Sequence, residues 1–352
     1  MGNVESGRKR ILVTGHRGYI GCRLVPLLQA EGYDVSGVDA DYYRECTFGT
    51  DPVPSPGHTV DIRDVTLSLL KGHDAVVHLA GLSNDPLGDL NPDLTHEINL
   101  RATARLATLA KEAGVRRFVF SSSCSNYGAA GENWLDEASP LNPVTPYAVS
   151  KTNSEEELDR LADADFSPTY LRSGTAYGAS PRIRFDLVVN NLTAWAVATG
   201  EVRLKSDGSA WRPLVHAEDM SRAFVCAISA DRELVHRQAF NVGRNEDCVQ
   251  IRHVAAKVKE AIPDAKIVFS PEKIVDTRTY RVDCTKIKSI GFAPCWTLER
   301  GIAELRDAFV ENDVRVADFE GTRYQRVAHI RHLISTGKLT ASLRRTEEEK
   351  VA

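Results

Sequence analysis

The sequence predicts an α/β protein: a doubly wound parallel sheet with a smaller C-terminal lobe that binds substrate. Three observations carry this. A short apolar run enters a glycine-rich turn and then an amphipathic helix at the start of the chain. The same strand-then-helix alternation repeats through the first half, which implies a parallel sheet covered on both faces. A tyrosine and a lysine four apart follow a serine run, all beyond the fourth strand of that pattern.

Ile11-Leu12-Val13-Thr14 reads as a buried parallel strand. It runs into Gly15-His16-Arg17-Gly18-Tyr19-Ile20-Gly21, after which Ile20, Leu24, Leu27 and Leu28 recur at helical spacing and Gly32 ends the pattern. Strand, glycine turn and helix are the context of a dinucleotide site. The glycines let backbone approach a pyrophosphate, which rests at the helix N-terminus. Pro26 is expected to kink that helix or to mark its first turns. A second strand, Asp34–Val38, ends in Asp39, an acid placed to accept from a ribose diol and to repel a 2′-phosphate. NAD is therefore expected over NADP, with Arg17 and Arg44 as the counter-signal. Further strands are expected at 75–78, 117–120 and 168–171, with a helix over 95–113.

From about residue 180 the alternation loosens. The expected organisation is a flexible terminus at 1–9, a Rossmann-type NAD-binding domain at 10–179 to which 211–245 returns, and a substrate lobe from 180–210 and 246–313. A basic, helical extension follows at 314–352, expected as a packing or dimer-contact arm rather than a substrate lid.

A formal net charge of −4 gives no electrostatic case for nucleic acid. Seven scattered cysteines without a C-x-x-C pair read as reduced thiols, with no zinc site. His329 and His332 read as solvated helix residues, and no metal is expected. No apolar run reaches membrane-spanning length, and the first ten residues lack the apolar core of a signal peptide, so a cytoplasmic protein is expected.

Tyr147 and Lys151 lie four apart in T-P-Y-A-V-S-K, on one face of a helix. An ammonium beside a phenol favours the phenolate. Ser123 can hold a substrate oxygen against it, which is machinery for moving a proton on a carbinol. Such a pair alone is common on solvated helices. Its weight comes from the glycine loop before it.

These residues resemble the extended short-chain dehydrogenase/reductase family, in its NAD-dependent epimerase/dehydratase branch acting on nucleotide sugars. The similarity runs from Arg10 to about Phe309. T-G-H-R-G-Y-I-G matches the family's T-G-x-x-G-x-x-G, and Asp61-Ile62-Arg63-Asp64 its adenine-side acid pair. His78-Leu79-Ala80-Gly81, Asn99, the run from Phe120 to Gly128, P-Y-A-V-S-K, Asn190-Asn191, Arg212 to Asp219 and Phe240 to Gly243 match in order. The resemblance implies catalytic Ser123, Tyr147 and Lys151. It implies cofactor contacts from Gly15, Arg17, Gly18, Tyr19, Ile20, Gly21, Asp39, Asp61, Ile62, Leu79, Ala80, Gly81, Asn99, Ser121, Tyr147 and Lys151. Substrate contacts are expected from Asn84, Ser123, Cys124, Ser125, Thr175, Asn191, Arg212 and Arg278. Asp85 is expected to meet sugar hydroxyls or to cap the next helix. Arg182 and Arg184 are left between diphosphate and loop roles, and His216 reads as structural. The partner expected is a nucleotide-diphosphate sugar, and the assembly a homodimer.

The resemblance also narrows the reaction. Family dehydratases carry Asp-Glu after the catalytic hydroxyl residue, and sugar-acid decarboxylases carry Ser-Glu. This chain has Cys124-Ser125. Subtraction points to a 4-epimerase with tightly held NAD, ahead of a keto-sugar reductase or dehydrogenase and of a dehydratase with unusual acid and base. Cys124 reads as a buried neutral thiol in preference to an acid or base.

Overall fold

The computed structural model describes residues 8–83, 85–88, 91–129, 131, 133–269 and 279–346. Seven strands form its central sheet: β1 (Arg10–Thr14), β2 (Asp34–Asp39), β3 (Gly57–Thr59), β4 (Ala75–His78), β5 (Arg117–Ser123), β6 (Ser167–Ser173) and β7 (Gln238–Val242). They lie in the order β7-β6-β5-β4-β1-β2-β3, and all six pairings are parallel. The order reverses between β1 and β4, which opens a crevice at the carboxyl ends of the strands. Strands β4 and β6 are buried along their whole length, as a sheet covered on both faces requires. His78 ties the switch point together. Its ring bonds Thr14 Oγ1 at 2.6 Å and Thr103 Oγ1 at 2.8 Å, and burial lowers its pKa to about 3, so it is a neutral cross-strand link.

The first helix spans Gly21–Ala30 with Pro26 at its sixth position. The proline lies past the first turn, and the helix still runs to Ala30; packing of Leu24, Val25 and Leu28 against the sheet holds it. The helix expected over 95–113 forms with a π-helical turn, His96–Arg101, ahead of the α-helix Ala102–Glu112. Strand β5 reaches three residues further than expected and carries Ser121–Ser123 to its tip.

Beyond β6 the chain builds a second layer over the strand ends. Thr175–Tyr177, Trp211–His216 and Cys248–Gln250 make a three-stranded sheet. The helices Val188–Thr199, Ile251–Ala261 and Leu298–Glu311 pack around one core with Phe185, Trp195 and Phe309. Segment 238–242 returns to the central sheet as β7. His216 is a structural residue: it bonds Glu304 at 2.8 Å and stacks on Trp296 at 3.8 Å.

The extension after residue 313 folds back on its own chain. Phe319 and Tyr324 join the core of the second layer, while Ile330, Leu333, Leu339 and Leu343 join the core beside the sheet. His329 is not solvated. It is buried between the carbonyl oxygens of Tyr42 and Thr322, 3.0 Å from each, and burial lowers its pKa. Its partner in the motif, His332, is exposed. No helix among the described residues is long and apolar enough to cross a membrane.

Candidate active site

A cavity of about 650 Å³ runs along the carboxyl ends of β1, β2, β4, β5 and β6. Its floor at one end is the glycine turn. Gly15 has φ +74°, and a Cβ there would lie 2.9 Å from Ala80 N. A Cβ on Gly21 would lie 2.3 Å from Gly15 O, so the turn closes this tightly only with glycine. Gly18, Tyr19, Ile20 and Gly21 line the cavity above the helix N-terminus. Asp39, at the tip of β2, accepts from the backbone N–H groups of Arg17 at 2.9 Å and Asp41 at 2.7 Å. Burial nonetheless raises its pKa. Arg17 turns its guanidinium onto Asp41 and Thr59, at 2.9 and 2.8 Å. It does not line the cavity.

Leu79, Ala80 and Gly81 follow β4 along one wall, and Ser121 and Ser123 of β5 along the next. These residues fit a dinucleotide: a close-approach turn for the pyrophosphate, an acid for the ribose diol and an open strand-end crevice for the nicotinamide.

The helix Pro146–Leu161 carries Tyr147 and Lys151. Thr145 caps it by accepting from Ala148 N at 3.2 Å, with Pro146 in the first turn. Asp85 accepts from the Thr145 hydroxyl at 2.6 Å and also lines the cavity, so it supports the cap of this distant helix rather than of the helix that follows β4. One face of the helix, with Ala148, Lys151, Ser154, Glu155 and Leu158, is buried. Beneath it Glu155 forks onto Arg172 of β6, at 2.6 Å to Nη2 and 3.0 Å to Nε. Glu155 also accepts from Ser122 and Asn126.

Ser123 lines the cavity with Tyr147, and its hydroxyl favours the phenolate. The ammonium of Lys151 does not control the phenol. Burial dominates and pushes Tyr147 up to about 12. Lys151 Nζ donates to Ser121 O at 2.7 Å, sits 4.6 Å above the Phe120 ring and lies 5.8 Å from the Tyr147 ring centre. Burial lowers Lys151 to about 8. Lys151 thus reaches strand backbone rather than the cavity.

Three other expected contacts change role. Asn99 does not face the cavity. Its amide accepts from Leu82 N at 2.7 Å and donates to Leu82 O and Ser150 Oγ, so it positions the loop after β4 against the catalytic helix. Cys124 is buried with Tyr127, Tyr280, Val282 and Cys284, and its thiol donates to Arg172 O at 3.1 Å. Burial pushes that thiol far up, so it is an inert apolar group turned from the substrate space. Asp61 lines the cavity with Ile62, but Arg63 grips both its oxygens at 2.9 and 2.6 Å. Against the upward push of burial, those bonds hold its pKa below the usual carboxylate range.

Ser125, Thr175, Asn191 and Arg212, expected to contact substrate, line the cavity. Arg184 does too, forked onto Asp186 and bonded to Ser83. Arg182 bonds Thr47 instead and stays off the cavity surface. Asn84 and Arg278 lie outside the described residues. Several lining residues carry no mark in the sequence: Tyr42 and Tyr43 after β2, Tyr280, and Phe319, Glu320, Gln325 and Arg326 from the extension. The run of acids and aromatics after Asp39 is the one signal that could have flagged the first pair.

The model of the NAD dependent epimerase/dehydratase family matches residues 11–243. The UDP-glucose 4-epimerase of Mycolicibacterium smegmatis is 29% identical over 85% of this chain and 98% of that protein. The UDP-glucuronic acid decarboxylase 4 of Arabidopsis thaliana is 26% identical over 86% of this chain and 69% of its own. Among solved structures, MoeE5 in complex with UDP-glucuronic acid and NAD superposes with a TM-score of 0.75 at 28% identity, over 86% of this chain and 99% of that one.

Proposed function

The chain belongs to the NAD-dependent epimerase/dehydratase family, and from that premise we propose that it is a nucleotide-sugar epimerase, inverting carbon 4 through transient oxidation. NAD is its cofactor. The observation that carries the reading is the chemistry beside Tyr147. Elimination of water or loss of a carboxyl group needs a further uncommitted acid or base there. Asp85 already accepts from Thr145, and Asp186 is forked onto Arg184. The two positions after Ser123 are a thiol turned away and a serine. Relatives named as UDP-glucose 4-epimerases support the same choice.

When bound, the nicotinamide supplies the acceptor and later the donor of hydride. The chain supplies the proton path and the hold on substrate. Tyr147 takes the proton of the sugar hydroxyl as the carbon is oxidised, and gives it back when the ketone is reduced on its other face. Ser123 holds that oxygen against the phenol. A phenol near 12 is almost wholly protonated at neutral pH, so its deprotonation needs cationic help; of the chain's own cations, Arg184 acts on the phenol. Arg212 and Asn191 grip the diphosphate of the sugar nucleotide. A homodimer in the cytoplasm belongs to the same reading, and sedimentation of the NAD-loaded protein tests the dimer.

The test is incubation with NAD and a panel of nucleotide sugars, following product mass and absorbance of reduced nicotinamide. A new stereoisomer of unchanged mass with no net absorbance supports epimerisation. Loss of water or carbon dioxide, or stoichiometric reduced cofactor, overturns it.

A further inference from the structure

The extension after residue 313 closes the adenosine end of the cavity and brings a buried cation to it. Tyr42 donates to Leu343 O at 2.7 Å, and Arg63 reaches Ser342 O at 3.0 Å. Arg344 pairs with Asp61 and Asp64, and Arg345 donates to Ala40 O at 2.8 Å. These are the residues after β2 and around Asp61, where the ribose and adenine belong.

Arg326 opens the helix Arg326–Ser335 and is only 5% exposed. Its guanidinium lies 3.6 Å from the centre of the Tyr43 ring, and Nη2 donates to Arg182 O at 2.9 Å. Nη1 is buried without a hydrogen-bond partner, on a residue that lines the cavity. Among the described residues Arg326 forms no ion pair. An arginine buried without a counter-charge is strongly destabilising, and an orphaned charged donor adds to that. The Tyr43 face and one or two carbonyls offset part of the cost. A bound anion would offset the rest.

The position selects the anion. Arg326 holds the carbonyl of Arg182, and two residues earlier Ser180 Oγ donates to Tyr19 O of the glycine turn at 2.8 Å. Tyr43 lies four residues past the ribose acid Asp39. Gln325, the cap of the Arg326 helix, lines the same cavity.

We propose that Arg326 is a cofactor-holding residue whose free Nη1 donates to the diphosphate of NAD, making the C-terminal extension part of the dinucleotide site. The extension is then a clasp: release of NAD requires the Arg326 contact and the strap over Asp61 and Arg63 to loosen together. This rests on the cofactor alone and stands whichever sugar reaction the enzyme performs.

The experiment measures binding rather than turnover. NAD and UDP are titrated calorimetrically into apo R326Q, apo R326K and the unsubstituted protein, with thermal unfolding of each without ligand as the fold control. R326Q is expected to weaken NAD about ten- to a hundredfold, the loss of one charge-assisted contact, and to change UDP by less than about twofold. R326K is expected to fall between, because it keeps charge without the fork. Should R326Q fail to fold, R326K carries the test. NAD affinity within about twofold of the original in the folded variants overturns the proposal, as does weakened UDP with NAD unchanged.

Discussion

Substituting Arg172 by methionine removes the cation from beneath the catalytic helix. Glu155 would then be left 6% exposed with only the Ser122 hydroxyl and the Asn126 amide to satisfy it. Breaking one side of a buried pair costs about 3–5 kcal/mol. Unfolding entropy of about 2.1 cal/mol/K per residue, over 352 residues, gives about 0.7 kcal/mol/K. The melting temperature should therefore fall by about 4–7 °C. The double variant E155L/R172M removes both charges and fills the space with apolar atoms, which is often neutral or stabilising. It should recover most of the loss. Differential scanning calorimetry of apo protein reads both. A shift under about 1 °C in R172M would refute the claim that the pair is buried and coupled. A double variant no better than R172M would refute the claim that the damage is an uncompensated charge.

Three further outcomes are expected. Gly21→Ala puts a Cβ 2.3 Å from Gly15 O, so the turn must open and NAD affinity, measured by calorimetry, should fall at least about tenfold. Cys124→Ala should keep turnover within about twofold, since the thiol faces Arg172 O; a loss above about a hundredfold would return the thiol to the mechanism. Lys151 is lowered to about 8 from an ordinary 10.5, so between those values the unfolded chain binds more protons and this group adds stability as pH rises. The melting temperature of the apo protein relative to Lys151→Met should accordingly climb from pH 8 to pH 10, and a flat or falling difference would contradict a buried ammonium.

Much of this was legible because it is local. The run Ile11–Thr14, the glycine turn and Asp39 fix each other's places within about thirty residues, and their periodicity switches from strand to helix where the structure does. Ser123, Tyr147 and Lys151 converge because β5 and the helix Pro146–Leu161 are neighbours in an alternating pattern. What was not legible is which way side chains point once burial competes with charge. Spacing places Lys151 on the face of Tyr147, but not its bond to Ser121 O. The motif marks Asn99 and Cys124 without telling that one pins Leu82 and the other turns into a core of Tyr127 and Val282. The extension is the extreme case: Leu343 meets Tyr42 across some three hundred residues, and a basic packing or dimer-contact arm does not foretell that Ile330, Leu333 and His329 are buried against their own chain.

The account stands or falls on Tyr147 as the proton carrier of the site. The direct measurement is single-turnover oxidation and re-reduction of the true nucleotide sugar by NAD-loaded Tyr147→Phe, beside a check that its NAD content is unchanged. The rate should drop by about a hundred- to ten-thousandfold with cofactor retained. A phenylalanine enzyme running at the original rate would contradict the mechanism outright.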